Sequence, residues 1–220
     1  MKSIRNLIIV AITVTIIGTS IFFVNSNSTR ATDESAVFED LGRYIKSLKE
    51  DEKEKRNLTN EILDKNQYLI LIKFYQNNEP TMTTDEAKEI ALAQIIEETA
   101  IKEKAKELSI FPSQEEVTAR VQEERFKFEN ANDEDPDNKQ VQEMLNSLMK
   151  GLGMNADEYW GSYVPTGYEF TISQEKLYEE VTKEITEVDQ KNEKWNTEKE
   201  NYIGKFKEVY KDEISELKNN

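Results

Sequence analysis

The sequence predicts an all-α protein, and three observations carry the prediction. Apolar residues recur at three- and four-residue intervals through most of the chain beyond residue 33. Proline (4) and glycine (7) are few among 220 residues, which leaves little of the turn chemistry that strand-rich folds need. Two helix starts carry a complete capping pattern. Thr83 stands three residues before Glu86 and Ser113 three before Glu116, so each hydroxyl can accept an orphan backbone N–H while the carboxylate reaches back.

The first 30 residues read as a separate object. Lys2 and Arg5 form a basic start, residues 7–24 are uncharged and apolar, and residues 25–29 are small and polar. A signal-peptide core is usually about 7–15 residues and a spanning helix about 20. This stretch lies between, so it reads either as a cleaved signal peptide or as an uncleaved membrane anchor. In both readings the basic start stays inside and the remainder is exported, an extracytoplasmic location in a bacterial cell envelope.

Beyond the leader, Val37, Phe38, Leu41, Tyr44, Ile45 and Leu48 share a helical stripe. The charged run of residues 50–56 continues it as a solvated face. Residues 31–66 are thus read as an N-terminal helix or stalk, and residues 67–220 as the main helical domain. Residues 68–75 are nearly continuous apolar side chains, compatible with a buried strand or a doubly covered helix. The lack of a similar hairpin partner favours helix. Asn77, Asn78, Glu79 and Pro80 read as a turn.

In the helix that Thr83 opens, Ile90, Ile101, Ala105 and Leu108 fall on one face, and Leu92, Ile95 and Ile96 wrap its first half. Pro112 ends it and pushes Phe111 towards an extended conformation. The helix after Ser113 carries Val117, Val121 and Phe128 on one side and Phe126 on the opposite side. Asp135-Pro136 is a helix start. Val141, Leu145, Leu148 and Leu152 line the helix it opens, with Gly151 and Gly153 as stop signals. Residues 155–163 read as a short capped helix bearing Tyr159, Trp160 and Tyr163, and residues 165–170 as a loop. From residue 173 to 217 the chain reads as one long helix or two. Leu177, Val181, Ile185, Val188, Trp195, Tyr202, Phe206 and Val209 keep three-, four- and seven-residue spacings, interrupted at Asn192 and Lys199, with Gly204 as a kink.

Charge and composition narrow the function classes. The formal net charge is −15; beyond residue 30, 26 basic residues face 44 acidic ones, a net of −18. Such a body repels phosphate backbones, which argues against nucleic-acid binding and suits basic clients. With no cysteine there are no disulfides and no thiolate metal sites, and with no histidine the Ser-His-Asp and Cys-His arrangements are absent. Ser147 with Lys150 and Ser173 with Lys176 match a Ser-x-x-Lys spacing, but the companion motifs of serine acyl enzymes are missing. Asp133, Asp135 and Asp137 alternate like a calcium loop. Asn138 and Met144, however, stand where that loop needs Gly and Glu, so a solvated loop is the better reading. No catalytic residue, metal or cofactor is therefore expected. The residues best suited to contact varied apolar partners are Phe126, Met144, Met149, Met154, Tyr159 and Trp160. Ordinary core packing is the competing explanation for all of them except Phe126, which lies off its helix's core stripe.

Ala91-Leu-Ala-Gln-Ile-Ile-Glu-Glu-Thr-Ala-Ile-Lys-Glu-Lys-Ala-Lys-Glu-Leu-Ser-Ile-Phe-Pro-Ser-Gln-Glu-Glu-Val resembles the helical chaperone domain of SurA-type and PrsA-type foldases. That domain has a helix ending in Ala-x-x-Leu-Gly-Ile and a Ser-x-Glu-Glu-Val restart. Gly153-Met-Asn-Ala-Asp-Glu-Tyr-Trp is similar to its later Gly-x-Ser-x-Glu-Glu-Phe turn. The resemblance covers residues 68–184, about half the chain. Three departures stand out. Asn77-Asn78-Glu79-Pro80 replaces a Val-Asn-Gly turn, Ser109 stands where the family has glycine, and the parvulin isomerase domain has no counterpart. The resemblance implies a non-catalytic domain that holds unfolded or secreted polypeptides, in a cleft between the helices of residues 90–152 and the long C-terminal helix. The alternative is a structural or partner-specific envelope protein that assembles, as a homo-oligomer for example, through a seam at Trp195, Tyr202 and Phe206.

Overall fold

Burial of aliphatic stripes drives these segments into helices, and every regular element among the described residues is helical. The computed structural model describes residues 34–54, 62–131 and 136–219. The expected leader at residues 1–30 and most of the aspartate loop at residues 132–135 lie outside them. Nine helices are described: α1 (Glu34–Glu54), α2 (Lys65–Asn78), α3 (Thr84–Glu107), α4 (Gln114–Glu129), α5 (Pro136–Leu152), α6 (Ala156–Glu158), α7 (Pro165–Thr182), α8 (Val188–Val209) and α9 (Lys211–Lys218). A π-helical turn, Tyr159–Tyr163, continues α6. No helix among the described residues is long and apolar enough to cross a membrane.

The 68–75 run is helical, as its lack of a hairpin partner predicted. Both capping boxes form: Thr83 and Ser113 accept the N–H groups of Glu86 and Glu116, whose carboxylates take the cap N–H groups at 2.8 and 2.7 Å.

Helix α3 is the central post. Its buried residues include Ala87, Ala91, Ala100 and Ala105, whose short side chains let neighbours approach closely, and α2, α7, α8 and α9 all contact it. Ile90 and Leu108 were expected on its core face but are exposed. The face actually covered runs through the alanines, Ile95, Ile96 and Ile101. Two polar side chains are buried with them. Glu98 accepts amide hydrogens from Gln67 (2.6 Å) and Gln94 (2.8 Å), and the Tyr75 hydroxyl donates to Gln94 (2.7 Å). The network ties α2 to α3 and keeps the buried carboxylate solvated by protein.

Four further sequence expectations are corrected. Of the stretch read as a stalk, residues 34–54 do not stand apart from the domain: Phe38, Leu41 and Ile45 join the main core, and α1 lies along α5. The two meet at Gly42 and Gly151, where a Cβ on either would sit 2.9 Å or less from the other helix's backbone. Gly151 is therefore a packing residue inside α5; Gly153, at φ +69°, is the stop. Residues 165–170 are not a loop but the first turns of α7, with Pro165 at a first-turn position that needs no N–H. The C-terminal stretch is three helices, broken at residues 183–187 and at Tyr210, while α8 runs through Gly204 without interruption.

Candidate functional site

Helix α4 carries the exposed aromatic that the sequence singled out. Its inner face buries Val117, Val121 and Phe128. By helical period Phe126 must then face outward, and its ring is 66% exposed. Ion pairs hold α4 in this orientation. Arg120 grips Glu175 of α7 with two bonds at 3.0 and 2.7 Å, Lys176 pairs with Glu116, and Arg125 reaches Asp157 at 2.7 Å. Such exposed pairs add little stability individually, though the bidentate geometry fixes rotation well. Their hydrogen bonds hold the Glu116 carboxyl below its ordinary 4.5 (Lys176 first) and raise Arg120 above its ordinary value.

The other candidates divide by burial. Tyr159 and Trp160 are 1% and 3% exposed, and Met149 is also buried. For the two rings the cause is the π-helical turn, whose Val164 N–H reaches the Tyr159 carbonyl at 3.0 Å. Its wider coil turns Tyr159, Trp160 and Tyr163 to the same interior side. Tyr159 stacks on Tyr163 at 5.5 Å between centroids, and Trp160 meets Phe128 at 5.7 Å. Burial pushes the Tyr163 and Tyr168 phenols far above their ordinary 10.0. Three of the six proposed contact residues therefore serve the core and present no surface in this conformation. Met144 and Met154 are half-buried. Met154 lines a shallow depression of about 290 Å³ with Lys46, Lys49, Glu50, Leu152 and Glu158.

The cleft expected between the 90–152 helices and the C-terminal helix is filled. Ile101 and Ala105 of α3, Phe170 and Leu177 of α7 and Trp195 of α8 form a second buried cluster there. Periodicity marked Ile101, Ala105, Leu177 and Trp195 as apolar, while Phe170 fell in the stretch read as a loop, and nothing indicated that the five would meet. A more open hollow, of about 470 Å³, was missed altogether. It lies between the α3–α4 connection and α7, lined by Ile110, Phe111, Lys176, Glu179 and Lys183. The Phe-Pro dipeptide was the available signal, because an extended Phe111 cannot tuck into either flanking helix.

The Ser-x-x-Lys pairs offer no nucleophile–base contact. Lys150 is held by Glu39 at 2.8 Å and Lys176 by Glu116, while the Ser173 hydroxyl donates to the Glu169 carbonyl at 2.6 Å. Among the described residues no group of three or more acidic side chains is placed to hold a metal ion.

Compared with known proteins, the chain is similar to the glutamate-rich protein GrpA of Alkalihalophilus pseudofirmus. The two are 30% identical over 141 residues, which cover 64% of this chain and 84% of that protein. No protein-family model matches the chain. No solved structure matches it.

Proposed function

The chain belongs to the family of the glutamate-rich protein GrpA, and from its own residues we propose that it is a non-catalytic holding protein for unfolded or exported polypeptides outside the cytoplasm. The observation that carries the reading is Phe126: a large ring, 66% exposed, held outward on a helix that ion pairs and a buried face keep from rotating. An exposed ring on a braced helix suits transient apolar contact with varied chains. The resemblance of the α3–α4 unit to the chaperone domain of SurA-type and PrsA-type foldases supports the same reading. The half-buried Met154 and its neighbouring depression offer a second foothold. The surplus of acidic residues favours basic client segments by long-range attraction.

Contact would be made on open patches and shallow depressions rather than in an enclosed cleft, so affinity would be weak and exchange fast. The rival reading, assembly through a seam of Trp195, Tyr202 and Phe206, needs side chains that this fold already spends internally: Trp195 and Phe206 are buried.

The reading is tested by light scattering from an aggregating client, with and without the chain from residue 31 onward. Suppression at modest excess is expected. Phe126→Ser weakens it several-fold while stability stays within about 0.5 kcal/mol, the usual range for exposed positions. Equal suppression by the variant and the native chain, or none by either at several-fold excess, removes the support for a holding role.

A further inference from the structure

The break between α7 and α8 falls in a β-branched stretch, Thr182, Ile185, Thr186 and Val188, which weakens helix but does not by itself end one. No proline or glycine occurs from residue 168 to 203, and Glu187, which precedes α8, makes no side-chain cap bond. Apolar residues meanwhile keep a seven-residue line straight across it: Val181, Val188, Trp195, Tyr202, Val209. In the folded chain that line is split. Trp195 is buried on α3, whereas Val188 and Val209 are 66% and 71% exposed. The bend is thus imposed by what α8 gains on α3 and α7. Those gains are Trp195 in the second core cluster with its ring 6.1 Å from Tyr178, Lys199 bound to Glu97 at 3.0 Å, and Lys104 over the Tyr202 ring at 5.4 Å.

We infer that α8–α9 can be exchanged between two copies of this chain, with α7 and α8 straightened into one helix and each copy's α8 seated on the other's α3. All the contacts of α8 are kept in the exchange, because the same surfaces meet across copies. Only residues 183–187 change conformation, from a bend to helix, and nothing in their composition opposes helix beyond the β-branched Ile185, Thr186 and Val188. The exchange also supplies what the single copy lacks, a cover for Val188, which is 66% exposed, at the end of a strip begun by the half-buried Val181 and Ile185. Two straightened helices related by a two-fold axis pass each other at that strip and bury it against itself. The occupant is a second copy because the groove on α3 is already shaped to this α8. The new interface is continuous with the existing one. This inference stands apart from client holding and uses none of its residues.

The test uses the full chain in mild detergent. Light and isotopically heavy copies are unfolded together in equal amounts, refolded and treated with a zero-length carbodiimide, which joins Lys199 to Glu97. A dimer fraction is expected, and in it half of the 97–199 linked peptides carry one light and one heavy partner. Val188→Pro should abolish that fraction while leaving the monomer folded. It puts proline at a first helical position after Glu187, whose φ of −78° and ψ of 127° already suit the residue before a proline. Three outcomes overturn the exchange: a chain that stays monomeric at high concentration, a dimer whose 97–199 links are all of one isotope, or mixed links that persist in the proline variant.

Discussion

Ser109 is held at φ +58°, in the left-handed region where side chains with a Cβ are strained, at the end of α3. The helix closes around it. The Ile110 N–H reaches the Ala105 carbonyl at 2.9 Å, and the Ser109 N–H reaches that of Lys106 at 3.0 Å. The same double closure ends α5, where Met154 bonds back to Met149 at 3.0 Å and Gly153 to Lys150 at 3.1 Å. One site uses glycine and the other serine for one backbone shape. Ser109→Gly is accordingly expected to stabilise the fold by about 0.5–1 kcal/mol in urea unfolding, with no change in m-value. Glycine is the usual residue at a helix end of this shape. Glu98 is a different case. It sits beside the half-exposed Glu97 in an acidic, helical stretch that reads as solvated, yet only Glu98 turns inward to Gln67 and Gln94. Removing the carboxylate would strand the buried Gln94 amide and the part-buried Gln67 amide. Glu98→Ala should therefore cost about 2–3 kcal/mol by the same unfolding measurement.

Elements were easier to read than their ends. The stripes and capping boxes located α1, α2, α3, α4 and α5, because each helix must hide one face and satisfy its first N–H groups. Errors arose where two helices share a cause. Gly151 looked like a terminus because glycine usually is one. Its role is set by Gly42, more than a hundred residues away in sequence, whose backbone it touches. Gly151→Ala would force α1 off α5 and should destabilise the fold by about 3 kcal/mol, since backbone cannot yield as a flexible side chain can. Near-ultraviolet circular dichroism of the Tyr159–Tyr163 aromatics would weaken in parallel. The loop read at residues 165–170 was a misjudged helix start: Pro165 already fits a first turn, and the helix buries two sides, Tyr168 and Ile172 in the main core and Phe170 in the second cluster.

Across the whole molecule, ion pairs between helices make stability depend on acid. Lys150 holds the Glu39 carboxyl below its ordinary 4.5, and Lys176 does the same for Glu116. A carboxyl depressed in the fold adds stability that is present above its unfolded value. That contribution fades as pH falls through the lower folded value. The melting temperatures of the native chain and Glu116→Gln should therefore differ at neutral pH and converge as pH drops below about 4.5. High salt should narrow the neutral difference, since both partners are partly exposed. At this scale the candidate site also took its final form. Once Trp195 settled on Ile101 and Ala105 there was no cleft left between the first helices and the C-terminal helix.

Local chemistry alone determined that this chain is helical, where the 83 and 113 helices begin, and that Phe126 faces away from its own helix's core. Each of those depends on residues within a turn or two of one another. Tertiary structure decided which of the six candidate residues remain accessible, why α7 and α8 are separate helices, and that α1 belongs to the domain. Those outcomes depend on contacts between segments far apart in the chain. A helical stripe records that a residue must be buried, but not what will bury it.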